Sequence, residues 1–237
     1  AKKNGVKTIS ICNVVGSTIA RESDGVIYTH AGPETGVAST KAYTAQITIF
    51  ILLALYLGRI KGSVTRKQLK EMLTGFEMIP EYMDEILDEA EAIKACAKKY
   101  YRLPCFMYVA RGVNYPNAFE GALKLKEISY IHAEGYGAGE MKHGPIALID
   151  RNMAVVAIVP QSFTYEKMIS NIREIRARKG TIIAIATEGD LSIKKHVSSV
   201  LYIPKTEEIF SPLLTVVPLQ LLAYSIAVLK GRDVDQP

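Results

Sequence analysis

The chain has 237 residues, 49% of them hydrophobic, enough apolar material for one large or two small cored domains and too much for a disordered chain. A formal charge of +5 with an isoelectric point near 9.0 suits small anionic molecules but is too weak a basic balance for a nucleic-acid binder; Arg59 to Lys70 and Arg173 to Lys179 read as solvated helix faces. Cys12, Cys96 and Cys105 are an odd number without metal-ligand spacing and no secretory signal opens the chain, so no metal site is expected and a reducing cytoplasm is the expected setting.

In chain order, Thr8 to Val14 and Gly25 to Thr29 read as strands, followed by a helix from about Ser39 to Arg59 that Ser39 or Thr40 can cap. A polar stretch from Lys61 to Arg66 is the best linker candidate, and amphipathic helices punctuated by Pro80 fill Lys67 to Tyr101. Cys105 to Ala110 and Met153 to Val159 read as apolar strands, with an amphipathic helix from Tyr115 to Ala133 between them carrying Pro116 in its first turn. A helix over Phe163 to Lys179, strands at Thr181 to Ala186 and Val200 to Ile203, and a helix after Ser211 complete the chain. Strands alternating with helices imply crossover connections and a mostly parallel, helix-covered sheet: an α/β fold. Two apolar stretches, Ala42 to Leu57 and Pro212 to Leu229, could be mistaken for membrane spans. The first contains Thr44, Gln46 and Thr48 and falls short of about 20 residues, and the second is interrupted by Pro218 and Gln220, so both read as buried helices.

Residues 104–237 hold enough strand and helix for a complete α/β domain, whereas residues 1–62 supply two strands and one long helix. The expected organisation is therefore a partial domain at 1–62, a helical connection at 63–103 and an essentially complete domain at 104–237.

The chemistry concentrates between Glu120 and Asp150, where lysine, glutamate and two histidines surround a glycine-rich segment, Gly135-Tyr-Gly-Ala-Gly139. Lys124 and Glu127 stand at i, i+3 on one helix face, so a ligand lying there would meet a cation and a carboxylate together. A pair of this kind is commonly a solvated ion pair. The glycines are expected to end the helix and to let a ligand approach the backbone closely, and His143 then falls on a loop or short turn. No phosphate-binding loop of the Walker type and no dinucleotide fingerprint occurs, so no cofactor is expected.

Cys12-Asn-Val-Val-Gly-Ser17, Arg21-Glu-Ser-Asp24, Gly36-Val-Ala-Ser-Thr-Lys-Ala42, Glu120 to Asp150, Val217-Pro-Leu-Gln-Leu-Leu-Ala-Tyr224 and Gly231 to Pro237 together resemble the isomerase part of the glucosamine-6-phosphate synthases, or glutamine:fructose-6-phosphate amidotransferases. The resemblance covers nearly the whole chain. It implies a pair of sugar isomerase (SIS) domains, three-layered α/β/α, in a homodimer that binds fructose 6-phosphate and makes glucosamine 6-phosphate with glutamine-derived ammonia. By the same resemblance Glu127 matches the residue that shuttles a proton between C1 and C2, and Lys124 a proton relay to the sugar oxygens. His143 matches a ring-opening histidine supplied by the neighbouring subunit, and the Val37 backbone and Ser39 hydroxyl match groups that contact the sugar. Ser39 is also an obvious helix cap.

The family's Ser/Gly/Thr-rich phosphate loop has no counterpart here; Gly16-Ser-Thr18 and Ala38-Ser-Thr40 are better explained as a turn and a cap. Nor does the chain contain the tail lysine that the family carries after Asp-Gln-Pro, or the cysteine-nucleophile glutaminase domain expected upstream. The chain thus looks like a C-terminal segment of a longer enzyme, inactive when isolated. Two other readings share the fold: a sugar-phosphate sensor without catalysis, and a simple aldose-ketose isomerase. A sensor needs no base on the helix, so Lys124, Glu127 and His143 favour an enzyme, and the Asp-Val-Asp-Gln-Pro ending favours the synthase. Neither nucleic acid nor membrane is expected as a partner.

Overall fold

The computed structural model describes residues 1–236; Pro237, the last residue of the expected second domain, lies outside them. The elements in order are β1 (Ile9–Cys12), α1 (Thr18–Glu22), β2 (Gly25–Tyr28), α2 (Lys41–Ile60), α3 (Arg66–Glu77), α4 (Ile79–Asp88), α5 (Ala90–Tyr100), β3 (Cys105–Ala110), α6 (Tyr115–Ser129), β4 (His132–Gly137), β5 (Met153–Val159), α7 (Tyr165–Ala177), β6 (Thr181–Thr187), β7 (Ser199–Ile203) and α8 (Ser211–Leu229). They divide into two compact units, Ala1–Glu71 and Met72 onward.

In the first unit β1 and β2 form a two-stranded parallel sheet, Ile9 opposite Gly25. The expectation of a buried helix at Ala42 to Leu57 is corrected here. Within this unit α2 has only two short strands to pack on, so it buries Ile51 and Leu55 and leaves Phe50, Tyr56, Leu57 and Ile60 exposed. The hydroxyl of Ser39 accepts a hydrogen bond from the Ala42 amide at 3.3 Å, which satisfies one of the free donors of the first turn of α2.

The second unit is a five-stranded, wholly parallel sheet in the order β4-β3-β5-β6-β7, with α6 and α8 against one face and α7 against the other. Every residue of β5 is buried, as a central strand covered on both faces must be. Helices α4 and α5 pack on α8 and so join this unit. The helix after Ser211 is buried as expected, but Pro218 lies inside it without ending it. By length and composition alone both α2 and the stretch Glu208–Leu229 could cross a membrane; 61% of the apolar window in the latter is inside the fold, the behaviour of a core helix.

Helix α6 is anchored to α8 by a buried polar network. Asn114 Nδ2 donates to Ser211 Oγ, Asn117 Nδ2 to Thr215 Oγ1 and to the Pro212 carbonyl, and Thr215 Oγ1 to Asn114 Oδ1, each at 2.7 Å. Such a network is costly to leave half-made. Thr215→Val should therefore lower stability by about 1–3 kcal/mol, read as a fall in the urea midpoint at unchanged slope.

The region around the glycines differs from expectation. Helix α6 ends at Ser129, not Ala133, because Tyr130 turns into the left-handed region at φ 58° and its amide closes on the Lys126 carbonyl. The chain then enters β4, so Gly135 and Gly137 are strand residues and not a flexible break. A Cβ on Gly135 would lie 2.7 Å from the Ala118 carbonyl oxygen and the Phe119 nitrogen, and the strand sits this close to α6 only because glycine has none.

Candidate active site

On α6, residues 120, 124 and 127 fall at i, i+4 and i+7, one stripe along the helix. Lys124 Nζ donates to Glu127 Oε2 at 3.0 Å and stands 3.7 Å from Glu120 Oε1. The Lys124 side chain is 7% exposed and that of Glu120 9%, whereas Glu127 is 32% exposed. A solvated surface pair would lie open to water, so this is a buried cation held between two carboxylates, with one of them opening toward solvent.

Burying an ammonium is tolerable only when it is paired, and two acids around one base leave a surplus negative charge if all ionise. Burial accordingly pushes the Glu120 carboxyl above its ordinary range; Lys124 opposes the shift and Glu127 adds to it. Glu120 Oε1 makes no hydrogen bond, its relation to Lys124 being Coulombic at 3.7 Å. Glu120 is therefore the member of the cluster that the sequence reading passed over, although its place on the same stripe was a usable signal.

The shift fixes a pH dependence. Between the ordinary carboxylate range and the raised folded value, the folded state binds more protons than the unfolded one, so stability falls as pH rises through that window. Glu120→Gln should remove this fall. Thermal melts at a pH below the ordinary carboxylate range and again near neutrality will read it, and an equal slope in both proteins would show that Glu120 is not the group responsible.

His143 is elsewhere. It ends a single 3₁₀ turn, Glu140–His143, which follows β4; its side chain is 76% exposed and its Nε2 lies 4.0 Å from Glu140 Oε2. Among the described residues it makes no hydrogen bond or ion pair with Lys124 or Glu127. The topology accounts for this. The turn sits at the carboxyl end of the parallel strands, where α6 starts, and Lys124 and Glu127 lie roughly 14 and 18 Å further along the helix axis from Tyr115. The second histidine of this stretch, His132, is exposed at the start of β4, 3.7 Å from Glu134. Val37 and Ser39 belong to the first unit, in the segment leading into α2, with Val37 69% exposed.

Among the described residues no group of three or more His, Cys, Asp or Glu side chains could hold a metal ion, and the three cysteines are free. What the α6 cluster can do is hold a carboxylate beside a cation at the margin of a buried surface, an arrangement suited to moving a proton and to countering the charge left behind.

A family model described as SIS domain matches residues 1–56 and 106–230. Over its full length the chain is 50% identical to glutamine–fructose-6-phosphate aminotransferase (isomerizing) of Thermus thermophilus and 53% identical to the protein of that name from Aquifex aeolicus, spanning 39% of each. The solved structure of the C-terminal domain of glucosamine-fructose-6-phosphate aminotransferase from Francisella tularensis is similar at a TM-score of 0.91 and 40% identity, over 98% of this chain and 66% of that one. The chain thus spans about two fifths of the length of these curated relatives.

Proposed function

The chain belongs to the SIS domain family, and from that premise we propose that it forms the isomerase part of a glutamine–fructose-6-phosphate aminotransferase, turning fructose 6-phosphate and glutamine-derived ammonia into glucosamine 6-phosphate. The observation that carries this reading is the buried Lys124 ammonium between Glu120 and Glu127, with Glu127 open to a ligand. A sugar-phosphate sensor gains nothing from a buried cation flanked by two acids. Residues 1–62 and 104–237 then belong to two SIS domains joined by a helical connection at 63–103, in keeping with the two matched segments.

In this reading Glu127 takes a proton from one sugar carbon and returns it to the next. Lys124 steadies the charge that develops on the sugar oxygens and passes protons to them. The cluster lies along α6, away from the crevice at the carboxyl ends of the strands where doubly wound sheets ordinarily hold ligands, so the sugar phosphate is held by other parts of the assembly. In the first unit, Val37 and Ser39 are the proposed sugar contacts, Ser39 doubling as the cap of α2. His143 acts on the ring oxygen in the site of a partner subunit, since its own α6 cluster is out of reach. The enzyme is then a homodimer at the least, works in the cytoplasm without cofactor, metal, nucleic acid or membrane, and receives its ammonia from an upstream glutaminase domain.

Mixing full-length subunits tests the arrangement. His143→Ala and Glu127→Gln are each expected to be nearly inactive alone. Mixed in equal amounts and allowed to exchange, half of the dimers combine the two, each with one intact site, so about one quarter of wild-type activity should return. No recovery after verified exchange would show that the site is not shared in this way.

A further inference from the structure

The turn that carries His143 is gripped from three directions. At its start, Gly139 lies under the Arg111 guanidinium: a Cβ there would stand 3.0 Å from Arg111 Nη2 and 3.4 Å from Cζ and Nη1, so the group is laid against the bare backbone. Arg111 is itself held, its Nε donating to Asn171 Oδ1 of α7 at 2.9 Å, with Asn171 only 4% exposed. In the middle of the turn, Met141 is fully buried in the cluster that contains Met168, Ile172 and Ile175 of α7. Next to His143, Lys142 Nζ pairs with Glu174 Oε1 at 2.9 Å, and Glu174 Oε2 accepts from Asn171 Nδ2 at 3.4 Å. The polar links thus run Arg111, Asn171, Glu174, Lys142, and they meet the turn before and after Met141 in sequence. His143 itself is left free of this grip and exposed.

We infer that Arg111, Asn171, Glu174 and Lys142 form a clamp that fixes the turn Glu140–His143 on α7 and so aims His143 out of its own subunit. They are positioning residues for the ring-opening step, and the inference rests on the shared-site reading above. Magnitudes favour this use over simple stabilisation. An ion pair with Lys142 61% exposed adds little to global stability, whereas displacing a catalytic group by about 1 Å can cost on the order of 100-fold in rate. The clamp also places the two ends of the domain's contribution under separate control: α6 and α8 hold Glu127, and α7 holds His143.

The experiment uses the full-length enzyme. Glu174→Lys sets a cation beside Lys142 and removes the acceptor of Asn171. Hydrogen exchange followed by mass spectrometry should become faster in the peptide spanning residues 139–144, and turnover of fructose 6-phosphate should fall by roughly 10- to 100-fold. Lys142→Glu combined with Glu174→Lys should recover part of both, since it rebuilds the ion pair but not the acceptor of Asn171. The decisive arm is subunit mixing. The defect travels with His143, so Glu174→Lys should complement Glu127→Gln as His143→Ala does, which a loss of overall folding would not permit. Should Glu174→Lys fail to fold, Glu174→Gln, which removes only the charge, takes its place in the exchange, turnover and mixing arms.

Unchanged exchange in 139–144 overturns the clamp. Failure of Glu174→Lys to complement Glu127→Gln, in a preparation where His143→Ala succeeds, overturns it as well. Faster exchange with no complementation by His143→Ala either leaves the clamp standing and overturns the shared site instead.

Discussion

Replacing Glu127 with glutamine in the full-length enzyme is expected to lower the exchange of the transferred sugar-carbon proton by about 100- to 10,000-fold, the usual loss when a positioned base is removed. Glutamine keeps the shape and an oxygen that can still accept from Lys124 Nζ, now at 3.0 Å from the carboxylate, so the geometry of α6 should survive and only the basicity is lost. Deuterium incorporation from solvent into the sugar, followed by NMR, reads the step directly and does not depend on ammonia delivery. Glu120→Gln is the matched control. Glu120 is less exposed than Glu127 and stands on the far side of Lys124, 3.7 Å from its Nζ, so its replacement should change exchange far less than that of Glu127. Exchange at the wild-type rate in Glu127→Gln would remove Glu127 from the role.

Gly135→Ala is expected to damage both stability and activity although residue 135 carries no chemistry. The added methyl would sit 2.7 Å from the Ala118 oxygen and the Phe119 nitrogen, and 2.8 Å from the Ala118 carbonyl carbon, all backbone atoms of α6. Side chains can swing aside at little cost, but a helix backbone tied to α8 through Asn114 and Asn117 gives way only with strain. Overpacking of this kind costs about 1–3 kcal/mol, a drop of roughly 2–4 °C per kcal/mol for a unit of this size. The same push moves α6 relative to β4. It therefore shifts Lys124 and Glu127, and a displacement of about 1 Å is enough for a 100-fold loss in rate. An unaltered melting temperature in Gly135→Ala would show that β4 and α6 can separate freely.

Much of the second unit was readable because its signals are local. The strands Cys105 to Ala110 and Met153 to Val159 stand where continuous apolar runs put them, since a parallel strand covered on both faces tolerates no polar residue. The start of α6 followed from Pro116, and the pairing of Lys124 with Glu127 from a spacing of three. β4 was not readable in this way. His132-Ala-Glu-Gly-Tyr-Gly137 lacks the β-branched residues of a strand, and its glycines signal a turn to any local rule. It is a strand because β3 offers it a parallel edge and because glycine alone lets it lie against α6.

By itself, then, the sequence determined the α/β class, the periodic elements and the identity of the chemical groups, since each of these is set by residues within a few positions of one another. Only the tertiary structure decided which groups are buried. That Lys124 is sealed between Glu120 and Glu127 depends on α6 being covered by β3, β4 and α8. That His143 stands apart depends on the turn after β4 opening at the far end of the helix. Burial and direction are properties of packing between elements distant in sequence, and it is burial that turns an ordinary helical ion pair into a cluster able to hold and move a proton.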